Sequence, residues 1–86
     1  MKLVDFLNVK IFDSEKEEMV ENFLQTIFDK ELTKRQKEML SQRLKGKSLL
    51  QIADEKNVGK STISRHITKA TKILDKNLNY AMVFFE

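Results

Sequence analysis

The stretch SLLQIADEKNVGKSTISRHITKATKIL, residues 48–74, decides the fold of this chain. Apolar residues recur at helical spacing on both sides of a short polar break. This pattern predicts one helix over about 48–56, a tight turn, and a second helix over about 60–76. Two helices joined in this way form a helix-turn-helix.

The residues around the break suit a turn between two helices. Ser48 is expected to cap the first helix, and Asn57 to take the positive φ that asparagine tolerates better than most residues. Val58 is predicted to fill the angle between the helices. Either Gly59 or Ser61 would cap the second helix, and the sequence leaves that choice open.

The second helix has one apolar side and one basic side. Its predicted buried stripe is Ile63, Ile67, Ala70 and Leu74. The other side carries four cations, four hydroxyls and no acid. A helix of this kind, second in a helix-turn-helix, is suited to the major groove of DNA. The predicted DNA-binding residues are Lys47, Ser48, Lys60, Ser61, Thr62, Ser64, Arg65, Thr68, Lys69 and Lys72.

The cations of this helix are expected to have different roles. Arg65 can donate two hydrogen bonds to guanine O6 and N7, which discriminates between bases. Lys60, Lys69 and Lys72 suit phosphate contacts, which add affinity without sequence preference. With Ser61, Lys60 also stands at the helix N-terminus, where backbone N–H groups favour a phosphate.

Two further helices are predicted before this motif. Ser14 followed by Glu17 indicates a capping box at the start of an amphipathic helix over 14–29, with phenylalanines suited to the core or to a dimer contact. Thr33 followed by Gln36 indicates a second box and a helix over about 33–45. Gly46 stands just past its end, where a left-handed residue is needed.

The two ends of the chain are apolar and harder to interpret. Residues 1–12 fit a helix or a strand, and we favour the helix. In residues 77–86 a strand-like alternation and a short packing helix are equally plausible. Both ends are candidates for a dimer interface.

Composition narrows the class of protein. The length of 86 residues suits one small domain. The absence of cysteine fits a reducing compartment, and the absence of proline favours helices. Residues 1–29 have a net charge of −4 and residues 30–86 one of +7, which suggests a polyanion-binding module with an acidic appendage. Neither a membrane span nor a signal peptide is predicted. We therefore expect a cytoplasmic protein associated with the nucleoid.

No enzymatic site is indicated. His66 is the sole histidine, so a metal site or a catalytic triad is not expected. The His66 side chain could donate a hydrogen bond to a phosphate, but we favour a position at the edge of the core. The two Gly-Lys-Ser stretches at 46–48 and 59–61 lack the earlier glycine of a P-loop. No cofactor and no metal are predicted.

Residues 32–74 resemble the DNA-binding domain of the LuxR/GerE class and region 4 of bacterial sigma factors. The segment LTKRQKEML, 32–40, matches the LT-x-R-x-x-E-x-L opening of the first family. Six residues match the "IA…V…ST-I" register: Ile52, Ala53, Val58, Ser61, Thr62 and Ile63. His66 matches a histidine that is common in the LuxR recognition helix, and Ala70 and Leu74 match the tail of both families. The resemblance implies a bacterial or phage regulator of transcription that binds double-stranded DNA.

The chain also departs from these families. Lys56 and Asn57 stand where Leu-Gly is usual, which predicts a looser turn. The first 30 residues resemble neither a receiver domain nor sigma region 2, and the segment after Leu74 differs from the usual fourth LuxR helix.

These observations predict an all-α domain of four to five short helices over 1–86. It would comprise an acidic helical extension at 1–30, a helix-turn-helix core at 32–76 and an apolar segment at 77–86. The expected function is sequence-specific DNA binding as a homodimer on a near-palindromic site. The alternative is a sigma-like or phage-type adaptor that binds RNA polymerase or another regulatory protein.

Overall fold

The computed structural model describes residues 1–85, and this part of the chain folds into five α-helices without a strand. The helices are α1 Leu3–Phe6, α2 Ser14–Glu31, α3 Lys34–Leu44, α4 Leu49–Lys56 and α5 Lys60–Phe85. Helix α5 packs against α2, α3 and α4, while α1 packs against α2. The predicted all-α class is confirmed.

The N-terminal segment is only partly helical. The predicted helix is confirmed over Leu3–Phe6, but Asn8 has a φ of 58° and the chain then runs without regular structure to Asp13. Both Oε atoms of Glu21 accept backbone N–H bonds, from Leu3 at 3.1 Å and from Val4 at 2.9 Å. One carboxylate on α2 thus satisfies the free donors that a short helix leaves at its start.

Helix α2 begins differently from the sequence prediction. Its N-cap is Asp13, whose carboxylate accepts from the backbone N–H groups of Glu15 at 2.9 Å and Lys16 at 3.3 Å. Ser14 is the first helical residue, so the predicted Ser14–Glu17 capping box was wrong. Asp and Ser are about equally good N-caps, and here the helix starts where the aspartate can fill that position.

The start of α3 follows the prediction closely. Thr33 and Gln36 form a reciprocal capping box, with bonds of 2.9 and 3.1 Å. Gly46 has a φ of +98°, as its place after the helix predicted. A side chain there would be strained, so this glycine sets the direction in which the chain enters α4.

Helix α5 is much longer than predicted. The sequence suggested an end near 76 and a separate apolar segment over 77–86, but the helix continues to Phe85; Glu86 lies outside the described residues. No glycine or proline interrupts it, and Leu78 extends the buried stripe beyond Leu74.

The core forms around α5. The predicted stripe is confirmed, because Ile63, Ile67, Ala70 and Leu74 are all buried. They pack in one cluster with residues of every other helix, among them Val4, Leu24, Leu40 and Ile52. The outer side of α5 is therefore fixed relative to the rest of the domain.

Candidate nucleic-acid interface

The first helix of the motif is held by its own cap. The Ser48 hydroxyl accepts from the Gln51 N–H at 3.1 Å, and the Gln51 side chain accepts from the Ser48 N–H at 2.8 Å. The predicted cap at Ser48 is confirmed, and Gln51 completes a capping box that the sequence prediction overlooked. Ile52 and Ala53 are buried, so the orientation of α4 is fixed as well.

The turn is tight. Asn57 has a φ of 56° and a ψ of 44°, as its predicted left-handed role requires. Its N–H donates to the Asp54 carbonyl at 3.2 Å, and the Val58 N–H donates to the Ala53 carbonyl at 3.0 Å. The prediction of a looser turn, made because Leu-Gly is missing, was therefore wrong. Asparagine can adopt the left-handed backbone conformation that glycine usually provides.

Gly59 and Val58 lie between the turn and the start of α5. Helix α5 begins at Lys60, and the Gly59 carbonyl accepts from the N–H groups of Thr62 and Ile63, so Gly59 precedes the helix in the cap position. Val58 is 36% exposed, so the prediction that it fills the angle between the helices was wrong. Its side chain is not part of the core cluster to which α4 and α5 contribute.

The predicted polar side of α5 faces outward. We call it the basic face, and it consists of Lys60, Ser61, Thr62, Ser64, Arg65, Thr68, Lys69 and Lys72. Thr62 and Ser64 are half-buried and the other six are exposed. The i, i+3 and i+4 spacing of most of these residues places them along one side of the helix.

The polar groups of the basic face have no partners among residues 1–85. Its four cations make no ion pair there, and its four hydroxyls make no side-chain hydrogen bond. Thr71, just outside the face, differs because its hydroxyl donates to the Ile67 carbonyl at 2.8 Å. The basic face thus offers an array of unused donors on a rigid helix.

Lys47 and Ser48, also predicted to bind DNA, lie at the other helix of the motif. Ser48 is exposed, and its hydroxyl oxygen already accepts one bond. Lys47 is half-buried, and its ammonium is paired with Glu55. A second pair joins Lys56 of α4 to Glu38 of α3. Sequence reasoning missed both pairs, because separations of 8 and 18 residues leave no helical signal.

An apolar groove lies at the far end of α5. We call it the terminal groove; it has a volume of about 280 Å³ and is lined by Phe23, Ile27, Asn77, Tyr80, Ala81 and Phe84. Tyr80 is 76% and Phe84 is 87% exposed. Because an α-helix rises 1.5 Å per residue, the terminal groove lies roughly 30 Å along α5 from Lys60.

His66 is half-buried next to the basic face. Within residues 1–85, no group of three or more His, Asp or Glu side chains is placed to hold a metal ion. None of the described helices is both long enough and apolar enough to cross a membrane.

The family comparison covers the motif and its surroundings. The model of the family "Bacterial regulatory proteins, luxR family" (GerE) matches residues 30–80, more than half of the chain. The match contains all of α3 and α4 and ends within α5. Neither the curated proteins nor the solved structures include a match. The chain belongs to the LuxR family of bacterial regulatory proteins, whose helix-turn-helix domains bind DNA in transcription regulation and are not enzymes.

Proposed function

We propose that this protein binds specific DNA sequences by placing the first half of α5 in the major groove, and that it acts on the chromosome in the nucleoid. The observation that carries the proposal is the basic face, whose cations and hydroxyls are unpartnered within residues 1–85. Buried residues on the opposite side of α5 hold this face outward. Because the backbone of α5 is already ordered, binding has to restrict only the side chains of this face.

The roles within the face follow from side-chain chemistry. Arg65 lies on the second turn of α5, where its guanidinium can address a guanine edge. Lys69 and Lys72 lie further along, where the helix leaves the groove and meets the backbone. Lys60 and Ser61 stand at the helix N-terminus, which favours a phosphate. We assign base recognition to Arg65 and its neighbouring hydroxyls, and phosphate contacts to the lysines.

We further propose that two copies bind DNA together through the terminal groove. Two exposed aromatic rings, Tyr80 and Phe84, form part of the wall of the groove, so one surface supplies both a cleft and side chains that can reach the cleft of a second copy, as a two-fold interface requires. Residues 77–85 carry no charge, so two copies can approach without repulsion there.

The available area limits the strength of this dimer. Each aromatic side chain can bury roughly 150–250 Å², so the two rings supply roughly 300–500 Å² per protomer. A stable interface of standard size buries about 800 Å² per partner. We therefore expect association to be weak in solution and to be completed when both copies bind adjacent half-sites on DNA.

The test separates base contacts from phosphate contacts. Sites are selected from random duplexes with the wild-type protein, and binding of Arg65→Ala and Lys72→Ala to a panel of those sites is then measured. Arg65→Ala should lose about 1–3 kcal/mol of discrimination at one base position, whereas Lys72→Ala should weaken all sites by a similar factor. If no site is enriched, the proposal is wrong. If the two variants behave identically, the assignment of their roles is wrong.

A further inference from the structure

Lys47, one of the predicted DNA-binding residues, is already paired in the free protein. The Lys47 ammonium lies 3.0 Å from Oε1 and 2.8 Å from Oε2 of Glu55. Lys47 precedes the N-terminus of α4, and Glu55 lies in its last turn. Since the first residue of α4 and Glu55 are about 9 Å apart along the axis, the lysine side chain lies along the helix. Glu55 thus draws the ammonium away from the N-terminus of α4.

The main chain at Lys47 is fixed independently of this pair. Its carbonyl accepts from Arg43 Nη1 at 3.0 Å, and its N–H donates to the Gln42 carbonyl at 3.3 Å. The preceding residue, Gly46, has the positive φ that sets the path of the turn. The ammonium can therefore change partners by side-chain rotation alone, while the turn keeps its conformation.

The two ion pairs of the motif differ in what they connect. Lys56 and Glu38 join α4 to α3, so that pair links two helices. Lys47 lies in the turn before α4 and Glu55 in the last turn of α4, so their pair adds no link between helices. Their side chains are 35% and 50% exposed, so water and salt weaken the attraction. The Lys47–Glu55 pair is therefore easily exchanged and contributes little to the fold.

We propose that Glu55 competes with a DNA phosphate for Lys47. This inference rests on the proposed DNA-binding function and adds a control on its strength. In the free protein the carboxylate holds the ammonium; on DNA the ammonium leaves Glu55 and contacts the backbone. Because a phosphate contact does not read sequence, Glu55 lowers affinity for all duplexes alike and leaves the ranking of sites unchanged.

The test uses two matched charge changes on α4. Glu55→Gln removes the competitor, and Asp54→Asn removes the same charge from the adjacent exposed residue, whose carboxylate makes no ion pair within residues 1–85. Relative to Asp54→Asn, Glu55→Gln should bind a random duplex about two- to fivefold more tightly, the range expected from an exposed ion pair. The ranking of a panel of duplexes should be the same for both proteins.

A Lys47→Met background completes the experiment. There, Glu55→Gln and Asp54→Asn should have equal effects, because no ammonium is left to release. The competition is refuted if the two substitutions have equal effects in the wild-type background, or if the advantage of Glu55→Gln persists without Lys47. If the wild-type protein shows no salt-dependent duplex binding, the proposed function itself fails; if it binds normally and the substitutions are equal, only the role of Glu55 fails.

Discussion

The two ends of α5 share one buried stripe but differ on their outer surfaces. Over residues 60–72 the outer surface carries four cations and no acid. Residues 77–85 carry no charge at all, and two exposed aromatic rings line part of the terminal groove. Since one unbroken helix joins the two ends, it connects the proposed DNA-reading surface rigidly to the proposed dimer surface.

Under the proposed function, this difference lets one helix serve two partners. The charged end suits a polyanion, and the apolar end suits a surface of its own kind. A rigid connection means that contact between two copies would set the distance and tilt of their recognition helices. The buried stripe is common to both ends, whereas each outer surface can be altered by itself.

The largest effect is expected where the two ends share the core. Leu74→Ala removes a fully buried side chain between the two surfaces and should lower the free energy of unfolding by about 2–5 kcal/mol. Ile73→Ala is the control: the neighbouring residue is only half-buried and should cost clearly less. Urea unfolding followed by circular dichroism measures both. Equal losses would contradict the assignment of α5's buried side.

A smaller effect is expected at the apolar end alone. Phe84→Ser should weaken binding to a two-half-site duplex by about tenfold, because it removes an aromatic contact between copies worth roughly 0.5–1.5 kcal/mol beyond its buried area. Binding to a single half-site should not change. Measured by fluorescence anisotropy on both duplexes, this outcome would separate the two surfaces.

Val83→Ser is the matched control for that experiment. Val83 is adjacent to Phe84 and 72% exposed, but it does not line the terminal groove. It should leave binding to both duplexes close to wild type. If Val83→Ser has the larger effect, the interface lies on another side of α5.

The smallest effect is expected at the turn that positions the charged end. Asn57→Gly should leave the free energy of unfolding unchanged or raise it by up to about 1 kcal/mol, because glycine adopts the φ of 56° without strain. Asn57→Ala should lower it by about 1 kcal/mol, since alanine is disfavoured there. Thermal unfolding of the two variants compares them directly; an alanine variant more stable than the glycine variant would be inconsistent with this turn.

Local signals allowed much of the motif to be predicted from sequence. Capping at Thr33 and Ser48, the left-handed residues Gly46 and Asn57, and the buried stripe of α5 each depend on residues within one or two turns of one another. For the same reason, the exposed side of α5 could be deduced once its buried side was known. The family match over 30–80 covers this motif.

Features that depend on tertiary contacts could not be predicted. The pairing of Lys47 with Glu55, and the capping of α1 by Glu21, join residues with no periodic relation. The apolar residues after Asn77 fitted a strand and a helix equally well, and their packing against α2 decides for the helix. At the start of α2, the sequence prediction chose Ser14 as the cap, whereas the preceding Asp13, an equally good cap residue, takes that position.

The most direct test of the central claim is the salt dependence of duplex binding by the wild-type protein. If the three lysines of the basic face each neutralise one phosphate, a plot of the logarithm of the association constant against the logarithm of salt concentration should be linear with a slope of about −2.7. Adding the proposed contact of Lys47 would bring the slope to about −3.6. A slope near zero would contradict the assignment of α5 as a DNA-binding helix.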